Sequence, residues 1–268
     1  MMIARIVVAV TVLNAALVAL LAAIWPLVGP MPVRLQFWIA VMSLLDAVIL
    51  WSIFEPRAPI FGRIVSRGRP RPRAVAITFD DGPTEPYTSQ ILDVLRAHDA
   101  RATFFVLGAR ASVAPEVVRR AAAEGHEIAN HGWDHEPLPL RGPGYVRDTI
   151  GRTSALVGRL TGHRPRLFRA PFGWRNPWVN GAARLEGCRP VAWSVGVHDT
   201  DRPGAAAIAR RAIAALESGT ILLLHDGRSL DPSPDASQVV EALPVILRAA
   251  RERGLRLLTL SALLADLE

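Results

Sequence analysis

The chain has 268 residues, half of them hydrophobic and 21% charged, with a formal charge of +7. That length suits one domain, or one domain with an appendage, and the single Cys188 excludes an intramolecular disulfide and any cysteine-rich zinc site. All 31 basic residues are arginine; they follow no zinc-finger, RRM or homeodomain spacing, so nucleic acid is not the expected partner.

Residues 6–28 carry no charge and are long enough to cross a bilayer. After a short turn, residues 35–54 form a second candidate span, interrupted only by Asp46. A secretory signal peptide competes for the first span, but the second span close behind argues against simple secretion. The predicted organisation is a transmembrane hairpin over 1–56, a basic linker over 57–73 and a globular domain over 74–268. Arg57, Arg63, Arg67, Arg69, Arg71 and Arg73 follow the second span, whereas only Arg34 lies between the two. The positive-inside rule therefore predicts a multi-pass inner-membrane protein with both ends in the cytoplasm and the arginine run against lipid headgroups. A signal plus anchor would instead make the domain periplasmic. Asn14 and Asp46 each lie eight residues from the same face of the hairpin, about 12 Å in at 1.5 Å per residue, and are predicted to hydrogen-bond.

Beyond Arg73, short apolar runs alternate with helical stretches. The runs are 74–79, 102–107, 126–130, 166–168, 190–195, 219–224 and 255–260; helices are predicted over 87–98, 115–124, 144–161, 177–186, 204–217 and 236–253. Runs that are apolar throughout read as strands buried on both faces. Seven β/α units predict a distorted, barrel-like parallel sheet of (β/α)7 type.

In such folds chemistry gathers at the carboxyl ends of the strands. Asp80 and Asp81 follow the first run, His131 and His135 the third, Arg169 the fourth, Asp199 the fifth and His225 the sixth. An isolated buried His is usually a core histidine, but five strand ends delivering ionisable groups to one mouth indicate a site. In HGWDH, 131–135, two imidazoles are spaced so that one turn can aim both at a metal, and a nearby carboxylate completes a three-ligand set with open positions. One of the adjacent aspartates is then neutralised by the cation and the other stays free as a base. Gly82 and Pro83 are expected to turn the backbone so that both carboxylates enter the mouth.

With these residues in place the chain resembles the polysaccharide deacetylases of the NodB-homology type, carbohydrate esterase family 4, over about 73–262. The resemblance implies, for TFDDG (78–82), Asp80 as catalytic base and Asp81 as metal ligand. HGWDH implies metal ligation by His131 and His135. RAPFG (169–173) implies that Arg169 orients Asp80 and that Phe172 lends its backbone N–H to the oxyanion. LLLHD (222–226) implies His225 as general acid and Leu223 as a wall for the acetyl methyl. In the fourth motif, GVHDT (196–200), Asp199 is retained to tune His225, but Gly196 and Thr200 replace the family's first Asp and its Trp. HGWDH and GWRN (173–176) are also similar to segments of the deformylase that trims undecaprenyl-phosphate-linked aminoarabinose.

The resemblance implies a divalent metal, Zn2+ first among candidates, and hydrolysis of an N-acyl amino sugar, polymeric or polyprenyl-linked, with release of acetate. Two other readings stand beside it. The ligand set alone permits a 2-His-1-carboxylate iron oxygenase, and a deacetylase fold can persist as an inactive membrane adaptor. Trp174 and Trp178 are open to sugar stacking or core packing.

Overall fold

The computed structural model describes residues 14, 16–21, 23, 32–62, 64–70, 73–228 and 234–265. The first element with described bounds, α1 (Val33–Phe54), is 22 residues long and includes an 18-residue stretch of mean hydropathy 2.1, long and apolar enough to cross a membrane. Most of the first predicted span lies outside the described residues, which therefore establish one candidate span rather than a hairpin. Its described positions are helical, and Asn14 Nδ2 donates to Asp46 Oδ2 at 2.8 Å, the pairing expected from the sequence.

Among the described residues eight strands follow: β1 (Ala74–Asp80), β2 (Thr103–Val106), β3 (Glu127–Asn130), β4 (Leu167–Phe168), β5 (Arg189–Pro190), β6 (Val195–Gly196), β7 (Ile221–His225) and β8 (Arg256–Leu258). All pair in parallel, in the order β5-β4-β3-β2-β1-β7-β6. Ala76 pairs with both Ile221 and Leu258, so β8 borders the start of β1 on the edge that β2 occupies further along. β5 and β6 stand at opposite ends of this order, yet only residues 191–194 connect them. A link that short reaches no more than about 18 Å, so the sheet curls until its two edges approach. The fold is thus the expected parallel α/β type, but with eight strands rather than seven. The fifth predicted run is split because it crosses the seam: Ala192 N–H bonds to Val65 and Ser194 N–H to Ile221.

The helices are α2 (Tyr87–Ala97), α3 (Gly108–Val113), α4 (Pro115–Ala123), α5 (Pro143–Thr161), α6 (Pro177–Leu185), α7 (Ala205–Ala214), α8 (Ser237–Glu252) and α9 (Leu260–Leu264). The six predicted helices appear with ends shifted by at most three residues; α3 and α9 were not anticipated. Side chains on a strand alternate between faces. On β1, Val75, Ile77 and Phe79 pack outward with Ile91 and Leu95 of α2 and Ile246 and Leu247 of α8. Ala74 and Ala76 point into the curl with Phe105, Ala129, Leu167 and Ile221, where Leu260, Leu263 and Leu264 of α9 plug one end. Apolar packing fills the amino-terminal end of the curl and leaves its carboxyl end for polar groups.

Candidate active site

The same period of two positions the site. Continuing the inward-facing set gives Thr78 and Asp80 on β1, His131 just past β3, Arg169 just past β4, and Leu223 and His225 on β7. Asp81 has the wrong parity; as a regular strand residue it would face the helices. Its φ of 76° swings the carboxylate back into the mouth. His135 (φ 58°) and Phe172 (φ 59°) are also left-handed, a conformation costing a non-glycine residue about 1–3 kcal/mol and concentrated at functional sites. Gly82 has a different job from the expected one. A Cβ there would overlap the buried carboxylate of Asp226, so glycine is required by close approach, and Asp81 itself makes the turn.

Asp81, His131 and His135 are all buried, and their ligand atoms lie within 4.8 Å of one another. Asp81 Oδ1 is 3.3 Å from His131 Nε2 and 3.1 Å from His135 Nε2. Two ligands bound to one ion at 2.0–2.1 Å with tetrahedral angles stand about 3.3 Å apart, so this spacing fits a zinc-sized cation. Tautomer chemistry agrees. His131 Nδ1 is 2.9 Å from the Arg169 carbonyl, which can only accept, so Nδ1 carries the proton and the Nε2 lone pair faces the cluster. Burial works to raise the Asp81 pKa, but whenever His131 and His135 are doubly protonated instead of facing a cation, their hydrogen bonds and charge outweigh it and hold the carboxyl well below its usual range.

Asp80 stands beside this cluster, its Oδ2 3.8 Å from His131 Nε2. Its other oxygen accepts from Arg169 Nη1 at 2.6 Å. Arg169 is fully buried; it also donates to Thr78 Oγ1 (2.9 Å) and the Ala192 carbonyl (3.1 Å) and lies 4.0 Å over the Phe105 ring. One oxygen of Asp80 is thus fixed and the other faces the cluster.

Across the mouth, Asp199 Oδ1 is 3.0 Å from His225 Nδ1, and Asp199 Oδ2 accepts the His225 backbone N–H at 2.8 Å. Burial disfavours the charged ring, but the Asp199 carboxylate more than compensates, with smaller help from Asp81 and Asp80, and the His225 pKa rises to about 9. A cavity of about 340 Å³ joins Asp80, Asp81, both ligand-type histidines, His225, Phe172 and Leu223. All nine predicted site residues are therefore gathered here, Arg169 and Asp199 through their bonds to lining residues. The Phe172 ring packs on His135 at 4.4 Å, so more than its backbone borders the site.

Sequence reasoning missed Trp193 and Arg228, which also line the cavity. Trp193 was hidden inside the fifth run, which reads as an ordinary strand; the signal available was an aromatic three residues before the altered fourth motif. A Cβ at Gly196 would sit 3.4 Å from Trp193 Nε1 and 3.9 Å from Leu223. Gly196 thus borders the Trp193 indole, while Thr200 lines the cavity directly.

A curled parallel β/α sheet with a His–His–Asp cluster, a fixed second carboxylate and an Asp–His pair at its strand ends defines the carbohydrate-deacetylase class of hydrolase folds. Residues 67–191 match the family model for polysaccharide deacetylase. The chitooligosaccharide deacetylase of Bradyrhizobium sp. strain ANU 289 is 39% identical over 189 residues, covering 68% of this chain and 86% of the relative. A peptidoglycan-N-acetylglucosamine deacetylase of Bacillus cereus is 37% identical over 194 residues, covering 72% and 88%. Among solved structures, the Bc1960 peptidoglycan N-acetylglucosamine deacetylase superposes with a TM-score of 0.70 at 32% identity, over 75% of this chain and 92% of that one. The chain belongs to the polysaccharide deacetylase family, the NodB-homology group of carbohydrate esterase family 4. A Bacillus anthracis protein described as a pseudoenzyme of that family shares the fold at TM-score 0.68 and 24% identity, over 74% of this chain and 68% of that one.

Proposed function

We propose that this protein is a metal-dependent N-deacetylase that removes an acetyl group from an amino sugar at a membrane. The observation carrying this reading is the convergence of Asp81, His131 and His135 with Asp80 alongside, one of its oxygens held by Arg169. Those three residues would hold a divalent cation, Zn2+ best matching two imidazoles and a carboxylate, which when bound supplies Lewis acidity toward the acyl carbonyl and water. Asp80 Oδ2 takes the proton of the attacking water. The Phe172 N–H donates to the developing oxyanion, and Leu223 and Trp193 flank the acetyl methyl. His225, protonated and oriented by Asp199, passes its proton to the leaving amine; acetate and a free amino sugar result. The parallel sheet and family membership remove the basis for an iron oxygenase, and the intact acid/base set disfavours the inactive adaptor.

The deciding experiment is acetate release by the purified full-length protein from N-acetylglucosamine oligomers, with a chelator and with zinc added back. Turnover that vanishes on chelation and returns with zinc is expected; full activity after exhaustive metal removal would overturn the metal assignment. The pH profile adds a second readout. His225 must be protonated to act as acid, so the rate persists below about pH 9 and falls above it. In Asp199→Asn the principal charge raising that pKa is gone while burial still lowers it, so the alkaline limb shifts down toward the ordinary imidazole value of 6.5. An unmoved limb would assign it to another group.

Read as a membrane span, α1 would anchor the enzyme, and the arginines after it favour a cytoplasmic catalytic domain under the positive-inside rule. An alkaline phosphatase fused to the carboxyl terminus should then stay inactive. Activity of that fusion would put the domain in the periplasm and make cell-wall glycan the substrate.

A further inference from the structure

The end of α1 is built into the wall of the active site. Arg175, buried, receives the peptide that leaves the helix: its backbone N–H donates to the Ile53 carbonyl (3.1 Å), its Nε to the Pro56 carbonyl (3.2 Å) and its Nη2 to the Ala58 carbonyl. Asn180 of α6 donates to the Phe61 carbonyl at 2.9 Å. A buried guanidinium is tolerated only where its donors are met, and here they are met by the backbone of this segment, which fixes it to the domain.

Three ring contacts run from this junction to the catalytic cluster. Phe54, the last residue of α1, meets Trp174 at 4.8 Å; Trp174 meets Phe172 at 4.9 Å; Phe172 meets His135 at 4.4 Å. The site therefore lies within about 15 Å of the helix end. Gly173 shows how tightly the parts fit, since a Cβ there would strike Pro56 and Trp193. The headgroup region on each side of a bilayer is about 5–8 Å thick, so with α1 spanning, the mouth lies at or just above it.

The exposed surface has the same bias. Outside the two candidate spans, the exposed large apolar side chains among the described residues are Ile60, Val113, Leu140, Phe172, Leu185 and Val245. Four of these six sit on segments joined to the junction. Ile60 is in the clamped peptide and Phe172 in the aromatic path. Leu140 follows Pro139, whose carbonyl accepts from Asn176, and Leu185 ends α6. Scattered exposed apolar residues mean little, but their gathering around one junction marks an interaction face. Arg184, beside Gly62, and Arg228, on the cavity wall, make no ion pair among the described residues and suit anionic headgroups.

We propose that the face around the α1 junction is a lipid-docking surface, so that the cavity opens into the headgroup layer and takes an amino sugar borne by a membrane lipid. This rests on the membrane and deacetylase readings above. In phosphatidylcholine–phosphatidylglycerol nanodiscs, nitroxide labels would be placed on the full chain at Leu140→Cys, Leu185→Cys and Val245→Cys, each in a Cys188→Ser background. Labels at 140 and 185 should be severalfold less accessible to a water-soluble nickel chelate than the label at 245 on α8. Equal accessibility at all three overturns the docking surface. In parallel, an N-acetylglucosaminyl phospholipid in vesicles of the same lipids should be deacetylated faster than soluble chitotetraose; equal or reversed rates overturn the lipid-borne substrate. Shielded labels with acetate released from neither probe would sink the deacetylase reading and leave the docking surface standing.

Discussion

Asp80→Asn should lower kcat by at least about 100-fold, the usual weight of a positioned general base, while leaving metal content near that of the unaltered protein. Thermal stability should fall as well, because the fully buried Arg169 loses its counter-charge. The geometry makes the substitution sharper than the loss of one charge. Asp80 Oδ1 accepts from Arg169 Nη1 at 2.6 Å, and Oδ2 faces the cluster, 3.8 Å from His131 Nε2. An asparagine must keep its carbonyl toward Arg169, because two N–H groups cannot face each other. Its NH2 then replaces Oδ2, and a proton acceptor becomes a donor at the point where water must lose a proton. Asp81→Asn should behave differently: it weakens the ligand set, so metal content falls together with rate. Acetate release at saturating substrate, run beside metal analysis of both variants, separates the two aspartates. Near-normal turnover by Asp80→Asn would remove it from the base position, and equal metal loss in both would merge their roles.

Much of this site was legible because a strand has a period of two. Once β1 is a strand, Asp80 must share a face with Ala74, Ala76 and Thr78, and the same parity carries His131, Arg169 and His225 inward. Asp81 was legible in kind but not in mechanism. Two neighbouring strand residues cannot share a face, and the left-handed backbone that reconciles them sits on Asp81, a residue type that only sometimes adopts it. Glycine at position 82 was read as the turn-maker, whereas its small size serves the Asp226 carboxylate, a contact 144 residues along the chain that local reasoning cannot reach. The split of the fifth run was hidden for the same reason: residues 191–194 look like strand, and only closure of the sheet makes them a seam. Arg175 was visible within GWRN, but that its partners are the carbonyls after α1 is a property of tertiary packing.

Arg169→Met should destabilise the fold by about 3–5 kcal/mol, the range for removing one partner of a buried ion pair. For a domain of this size that corresponds to a fall in Tm of roughly 6–20 °C. Methionine fills much of the space but leaves the Asp80 carboxylate, 3% exposed, without its cation. It also withdraws the donors now serving Thr78 and the Ala192 carbonyl, which tie β1 to the seam. Arg169→Lys should recover only part of the loss, since one ammonium cannot reproduce a fork spread over a carboxylate, a hydroxyl and a carbonyl. The diagnostic variant is Asp80→Asn/Arg169→Met. If the penalty comes from a stranded buried charge, neutralising Asp80 should return a good part of the lost stability, whereas a packing defect would persist unchanged. Recovered Tm without recovered activity is the expected result, because the carboxylate that makes the pair costly to break is the one the reaction needs. A double variant no more stable than Arg169→Met would mean that the arginine acts as a spacer, and the orientation of Asp80 would need another cause.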